Sequence, residues 1–281
     1  MIKSRLNSTS TEQLLTIVSQ FPPSFFIDVG AARGVVARQL QIASPASRTE
    51  CFEPWAGNLP HFKELIKGIR NINFHEKAVS NYDGRGSFYV DKIVQSDEKS
   101  WQNRIGFSSR GKLIPSTEAP KYDVEKVFEV DVCRLDSLYD DRIRFLKVDA
   151  QGGEGDVIEG AERLINKRRV DMIFVKYFGA SEIALFAEDN QYVIFDIEYN
   201  CIPVNKAADE LGFQPGYRTM DLSNGSIFVR GTFSNLPRIP SALNDWMAEF
   251  REKNGHFWTN LLLVRKEMID DFLIAADASG F

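Results

Sequence analysis

The chain has 281 residues, 43% hydrophobic and 26% charged, with a formal net charge of −5 and a sequence pI near 5.4. That is the composition of an ordinary soluble globular protein, long enough for one large domain or two small ones, and its acidic balance argues against a general nucleic-acid-binding surface. Cys51, Cys133 and Cys201 are odd in number and far apart, which fits neither a disulfide framework nor a zinc site.

The first residues, Met1-Ile2-Lys3-Ser4-Arg5, lack the apolar core of a signal peptide, and no apolar run approaches membrane-spanning length. A cytoplasmic protein is expected. Thr11 to Phe21 carries Leu14, Leu15, Ile17, Val18 and Phe21 behind a run of Ser and Thr, the pattern of a capped amphipathic helix.

After Pro22-Pro23, the stretch Phe25-Phe26-Ile27-Asp28-Val29-Gly30-Ala31-Ala32-Arg33-Gly34 reads as a buried strand entering a glycine-bearing turn. A helix follows from Val35 to Ile42, and its N-terminus offers free N–H groups to a ligand carboxylate or phosphate. Open α/β sheets bind ligands at this position, outside the carboxyl end of a strand. The loop is not the glycine-rich dinucleotide fingerprint, because Ala32 stands at the second glycine position. Asp28 suits a ligand carrying a cationic amine, such as the methionine part of S-adenosylmethionine.

Thr49 to Pro54 predicts the second strand, ending at Glu53, which lies 23 residues past Gly30. An acid about 20 residues on, at the tip of the next strand, is placed to accept hydrogen bonds from ribose hydroxyls. Asn58 to Lys67 predicts a second helix, with His61 toward solvent. Asn71 to Val79 predicts a third strand, whose exit at Lys77 and Ala78 would approach an adenine edge. Ser87 to Val90 is a short strand. From 91 to 126 the order breaks down into a long polar segment, a lid or wall of an acceptor site or a surface excursion.

Val127 to Val132 is a strand, and Leu135 to Tyr139 a turn or short helix. Ile143 to Val148 is a core strand, ending at Asp149-Ala150-Gln151-Gly152-Gly153-Glu154, and a helix follows over Gly155 to Ile165. The period of two puts Lys147 and Asp149 on one side of that strand. Two buried opposite charges need each other or a ligand. Either they form a structural ion pair, or Asp149 stands beside the reacting group as a base or orienting carboxylate, with Lys147 tuning it. Strands over Val170 to Phe178, Tyr192 to Ile197, Tyr217 to Leu222, Ile227 to Val229 and Phe257 to Val264 follow. Helices are expected over Ala242 to Arg251 and Met268 to Ala276. His256, just before the last strand, is a second candidate base.

Three blocks, in order, carry a family resemblance: Ile27-Asp28-Val29-Gly30-Ala31 with Gly34; Phe52-Glu53-Pro54; and Lys147 to Glu154 followed by Val157-Ile158-Glu159-Gly160-Ala161. Ala78-Val79-Ser80 and Leu135-Asp136-Ser137-Leu138 fall between them as the family's pattern requires. The chain resembles the FkbM family of S-adenosylmethionine-dependent methyltransferases from about Ser24 to Ile165.

The resemblance implies a Rossmann-like class I methyltransferase fold: a mostly parallel seven-stranded sheet with helices on both faces and an inserted loop or hairpin region. The pattern along the chain is read as one domain over 1–281, with an N-terminal helix in 1–23, a lid-like insert at 91–126 and an acceptor-shaping part at 179–281. The resemblance also implies O-methylation of a hydroxyl on a sugar, glycan or natural product. By the same likeness Asp28, Gly30 and Ala31 hold the methionine end and Glu53 the ribose; Ala78 lies by the adenine and Asp149 by the reactive centre. Gly34, Pro54 and Lys77 complete the cofactor set. The family usually has Asn where Ala32 stands and Glu where Gln151 stands.

No His, Asp or Glu group has metal-site spacing, so a metal-independent displacement is expected, with a small-molecule or carbohydrate acceptor and no nucleic-acid partner. A nicotinamide-dependent oxidoreductase and a non-catalytic methyltransferase-fold interaction module are the alternatives.

Overall fold

The computed structural model describes residues 10–91, 111–114, 124–177, 183, 186–187, 189–203, 218–221, 226–230 and 258–279. The chain packs as two compact units, one of 23–170 and one of 1–22 with 171–281.

In the unit of 23–170, strand β1 (Phe25–Val29) is buried at every residue. It pairs in parallel with β2 (Arg48–Phe52) on one side and β8 (Ile143–Val148) on the other, and β2 pairs in parallel with β3 (Ile72–His75). The order β3-β2-β1-β8 places the reversal of strand order between β1 and β8. A parallel sheet needs helical crossovers and cover on its faces, which is why β1 reads as a near-continuous apolar run. Helix α2 (Val35–Ala43) and helix α3 (Leu59–Leu65), entered through a 3₁₀ turn at Ala56–Asn58, make the crossovers. Ala37 and Phe62 from these helices pack on Cys51. The other face carries Phe25 and Phe52 against Tyr139, with ring centroids 5.1 and 6.4 Å apart.

Gln41, at the end of α2, is buried and fully used. Its amide donates to the Ser47 carbonyl at 2.7 Å, and its oxygen accepts from Thr49 Oγ1 at 2.9 Å, fixing α2 to the start of β2. Gly34 begins α2 at φ 84°, and a Cβ there would lie 2.6 Å from the Phe62 ring. Gly34→Ala should therefore lose about 2–4 kcal/mol, from the left-handed backbone and the ring overlap together. Urea unfolding of the variant checks it.

The expected strand over Asn71 to Val79 is two strands in two sheets. β3 ends at His75, whose carbonyl accepts from the Glu53 N–H at 3.1 Å. After Glu76-Lys77, β4 (Ala78–Val79) leaves to pair with β7 (Val124–Cys133). β7 also pairs antiparallel with β5 (Gly84–Asp91), and β5 with β6 (Gly111–Ile114), which is the expected inserted hairpin. The core of this sheet, Ala78, Phe88, Val130 and Val132, is closed by Trp55, Tyr82 and Leu113. The rest of the 91–126 segment lies outside the described residues, apart from Asp91, β6 and the start of β7.

The helix expected over 155–165 is also broken. α5 (Glu154–Glu159) stops at Gly160, where a Cβ would overlap the Ser80 carbonyl oxygen. A new helix, α6 (Glu162–Asn166), starts beyond it. Asp136, in the short helix α4 (Leu135–Leu138), caps α6 from outside, its carboxylate accepting from Arg163 N at 2.8 Å and Leu164 N at 3.0 Å. Those orphan amides are what a helix start must satisfy. Asp136→Ala should cost about 1–2 kcal/mol, read as a lower urea midpoint.

In the second unit, β9 (Val170–Tyr177), β13 (Trp258–Arg265) and β10 (Tyr192–Pro203) lie in that order, with β13 antiparallel to both. β12 (Ser226–Arg230) and β11 (Arg218–Asp221) extend them. The seven expected strands are thus β3, β2, β1 and β8 in one unit and β9, β13 and β10 in the other. Helix α1 (Ser10–Val18) buries Leu14, Leu15, Ile17 and Val18 and packs on α7 (Ile269–Ser279). Among the described residues no helix is long and apolar enough to cross a membrane.

Candidate active site

The carboxyl ends of β1, β2 and β8 converge in the unit of 23–170. Gly30 turns the chain out of β1 at φ 71°, and a Cβ on it would overlap the Asp149 carbonyl oxygen. Gly30 is therefore required twice, by its backbone angle and by the approach of the β8 loop. The amides of Gly30 and Ala31 both donate to the Phe52 carbonyl, at 2.9 and 3.0 Å. Ala32, at φ 48°, donates its N–H to Glu53 Oε2 at 3.0 Å. These three N–H groups are thus spent on the end of β2.

Glu53 is buried, and its other oxygen accepts from the Trp55 N–H at 2.9 Å. Burial pushes its carboxyl above the usual glutamate range, against the pull of these amides and the Asn58 side chain.

Asp28 has no exposed surface. Its neighbour across the β1–β8 register is Lys147, whose Nζ lies 2.9 Å from Asp28 Oδ1. The same ammonium donates to the carbonyls of Val29 at 3.2 Å and Gly30 at 2.7 Å. Asp28 thus lies beneath the turn, beside Lys147, which bonds the turn's carbonyls. This corrects one expectation. Lys147's ion-pair partner is Asp28 on the next strand, and the charge of Asp149 also acts on it. Burial pushes Asp28 up in spite of Lys147, whereas for Lys147 the neighbouring carboxylates overcome burial and raise it.

The loop after β8 is built the same way. The Asp149 N–H donates to the Val29 carbonyl at 3.1 Å, tying the two loops together. Glu154, buried at the start of α5, accepts from the Ala150 N–H on Oε1 and the Gly152 N–H on Oε2, both at 2.9 Å. Burial pushes its carboxyl up. Like Glu53, it is a buried glutamate whose two oxygens each hold a backbone amide, here both from one loop. Between those amides Gln151, at φ 53°, donates from Nε2 to Asp149 Oδ1 at 2.8 Å. Asp149 itself is half-exposed, so it faces outward at the crevice where Asp28 does not.

The Methyltransferase FkbM domain model matches residues 28–198, more than half of the chain. The chain belongs to the FkbM methyltransferase family. It is 24% identical over 180 residues to the 2-O-methyltransferase NoeI of Sinorhizobium fredii, a match covering 63% of this chain and 72% of that protein. Among solved structures it is similar to the methyltransferase FkbM of Methylobacillus flagellatus, at 14% identity and a TM-score of 0.41. That match covers 74% of this chain and spans 43% of the Methylobacillus chain. It is also similar to TrmK of M. capricolum, solved with S-adenosyl-homocysteine, at 9% identity and a TM-score of 0.34, over 77% of this chain and 66% of that one.

The blocks that carry the FkbM likeness thus have structural reasons. Gly34 meets Phe62, Gly160 meets Ser80, and Asp136 caps α6. Of the remaining predicted site residues, Ala31 is buried beneath the turn, and Pro54 is half-exposed beside it. Lys77 is half-exposed, while the Ala78 side chain is buried in the second sheet's core, where Trp55 covers it. The structure therefore brings Glu53 and Asp149 against the turn that Gly30 makes, with Pro54 next to Glu53, while Ala78 packs with Trp55 in the second sheet. His256 lies outside the described residues. Trp55, Gln151 and the bracing role of Glu154 were not legible as site features. Among the described residues no three His, Cys, Asp or Glu side chains group as a metal site.

Proposed function

We propose that the protein transfers the methyl group of S-adenosylmethionine to a hydroxyl of a sugar, glycan or related small molecule. The observation that carries the reading is the charge balance at the β1–β8 crevice. Asp28, Asp149 and Glu53 all act on Lys147, so three carboxyl groups act on one ammonium, and Glu154 adds a fourth whose charge acts on Asp149. A site with that excess of acid, at the reversal of strand order, favours a cationic ligand over an anionic one. A dinucleotide's pyrophosphate would meet carboxylates and amides already engaged, and the family match also stands against the nicotinamide alternative.

The residues fit the nucleoside. The absent Cβ of Gly30 lets the β8 loop lie against the turn. Glu53 uses two lone pairs on backbone amides, and a carboxylate has about four acceptor positions, which leaves capacity for ribose hydroxyls. Pro54 and Trp55 flank it. When bound, S-adenosylmethionine supplies an already activated methyl group. The chain's own task is then to align the acceptor oxygen and take its proton. Asp149, outward-facing and held by Gln151, is placed to accept that proton. O-methylation agrees with the name of the 2-O-methyltransferase NoeI.

Isothermal titration calorimetry should show S-adenosylhomocysteine binding and no NAD binding. Glu53 and Glu154 are raised by burial, so a cationic ligand draws their protons off on binding. S-adenosylmethionine affinity should accordingly rise with pH through the range above 4.5, the ordinary glutamate value. Transfer of labelled methyl to a panel of methyl glycosides tests the acceptor class. Binding without transfer to any hydroxyl would favour the non-catalytic module.

A further inference from the structure

We propose that Gln151 is a positioning residue that holds the Asp149 carboxylate in its reactive orientation, an inference that rests on the reading of Asp149 as the proton acceptor. Gln151 sits at φ 53°, a left-handed conformation that a long side chain adopts at a cost and that glycine adopts freely. Such a conformation persists only where the surroundings over-determine it. Here they do: Glu154 grips the amides on both sides of it, Ala150 N and Gly152 N, each at 2.9 Å. That grip presents the Gln151 amide to Asp149, and its Nε2 donates to Oδ1 at 2.8 Å. The assignment of donor and acceptor follows from chemistry, since an ionised carboxylate only accepts and the amide oxygen would be repelled there. One carboxylate oxygen is thereby fixed by a neutral donor, which sets the plane of the carboxylate. A neutral donor also steadies the ionised form without adding charge to a crevice already rich in acid.

The αL backbone separates this role from a structural one. Gln151→Gly removes the side chain and relieves the backbone, so its urea midpoint should be unchanged or higher. If the amide orients Asp149, the same variant should raise the pH at which the Asp149 carboxyl carbon titrates, followed by NMR in protein labelled at aspartate. The resonance is assigned by its disappearance in Asp149→Asn. Gln151→Glu should move that titration further up and make it biphasic, because two carboxyls 2.8 Å apart would share a proton. Methyl transfer to the glycoside panel by Gln151→Gly should fall up to about a hundredfold in kcat, with KM for S-adenosylmethionine unchanged. A titration that does not move in either variant overturns the proposal and leaves the assignment of Asp149 intact. A moved titration together with full transfer activity in Asp149→Asn removes Asp149 as the proton acceptor, and with it the catalytic meaning of the contact.

Discussion

Lys147→Met is expected to lower stability by about 3–5 kcal/mol at neutral pH, because it strands the buried carboxylate of Asp28 without its ammonium. The loss comes from the partner left behind more than from the lysine. Adding Asp28→Asn should therefore recover most of it, since removing both charges of a buried pair is often close to neutral. The pH dependence has a fixed sign. Burial raises the folded-state Asp28 carboxyl above its ordinary 3.8, and removal of Lys147 removes a lowering influence. Between 3.8 and the folded value the native state keeps a proton that the unfolded chain has released, so stability falls as pH rises through that window. The deficit of Lys147→Met should accordingly be smaller at pH about 5 than at about 7, read from urea midpoints at both. The double variant should show little of this dependence. It also tests how Asp28 serves the site. A brace beneath the turn predicts S-adenosylhomocysteine affinity within about tenfold of wild type, about 1.4 kcal/mol; a far larger loss would return Asp28 to direct ligand contact.

The strands and their order were legible because each carries a local signal. β1 is an apolar run of strand length ending at Gly30, β2 stops just before Glu53-Pro54, β8 is mostly apolar up to Asp149, and the acids at their tips stand out by contrast. Which acid does what was not legible, since it depends on register between strands distant in sequence. Asp28 and Lys147 are 119 residues apart and become neighbours only when β8 pairs with β1. The period of two puts Lys147 and Asp149 on one side of their strand, but Lys147's ion-pair partner lies across the ladder. The two misplaced boundaries share a cause. Gly160 and the Glu76-Lys77 step look like interruptions that a helix or a strand can absorb. They become real breaks because Ser80 must pass against Gly160 on its way out of β4. Glu154 has its own lesson. An acid opening a helix reads as a partner of the helix dipole, and nothing in the sequence says that it turns back onto Ala150 and Gly152.

Gly30→Ala is expected to cost about 2–5 kcal/mol and to abolish cofactor binding at micromolar concentrations. Two separate penalties add. An L-residue at φ 71° pays about 1–2 kcal/mol for the left-handed region. The new methyl also overlaps the Asp149 carbonyl oxygen, which is backbone and cannot swing aside as a side chain would. Relief requires the β1 and β8 loops to part, breaking the bond from Asp149 N to the Val29 carbonyl, and overpacking of that kind costs about 1–3 kcal/mol. Gly68→Ala supplies the control. Gly68 also has a left-handed backbone, φ 80°, but nothing lies within 4 Å of its would-be Cβ. It should lose only the backbone part, and the difference between the two variants in urea unfolding measures the loop contact alone. The same contact governs function, because separating the loops moves Asp149 away from the turn that it is meant to serve. Gly68→Ala should leave binding untouched, so a Gly30→Ala protein that stays folded and still binds S-adenosylhomocysteine normally would show that the closeness of the two loops is structural and that the ligand sits elsewhere.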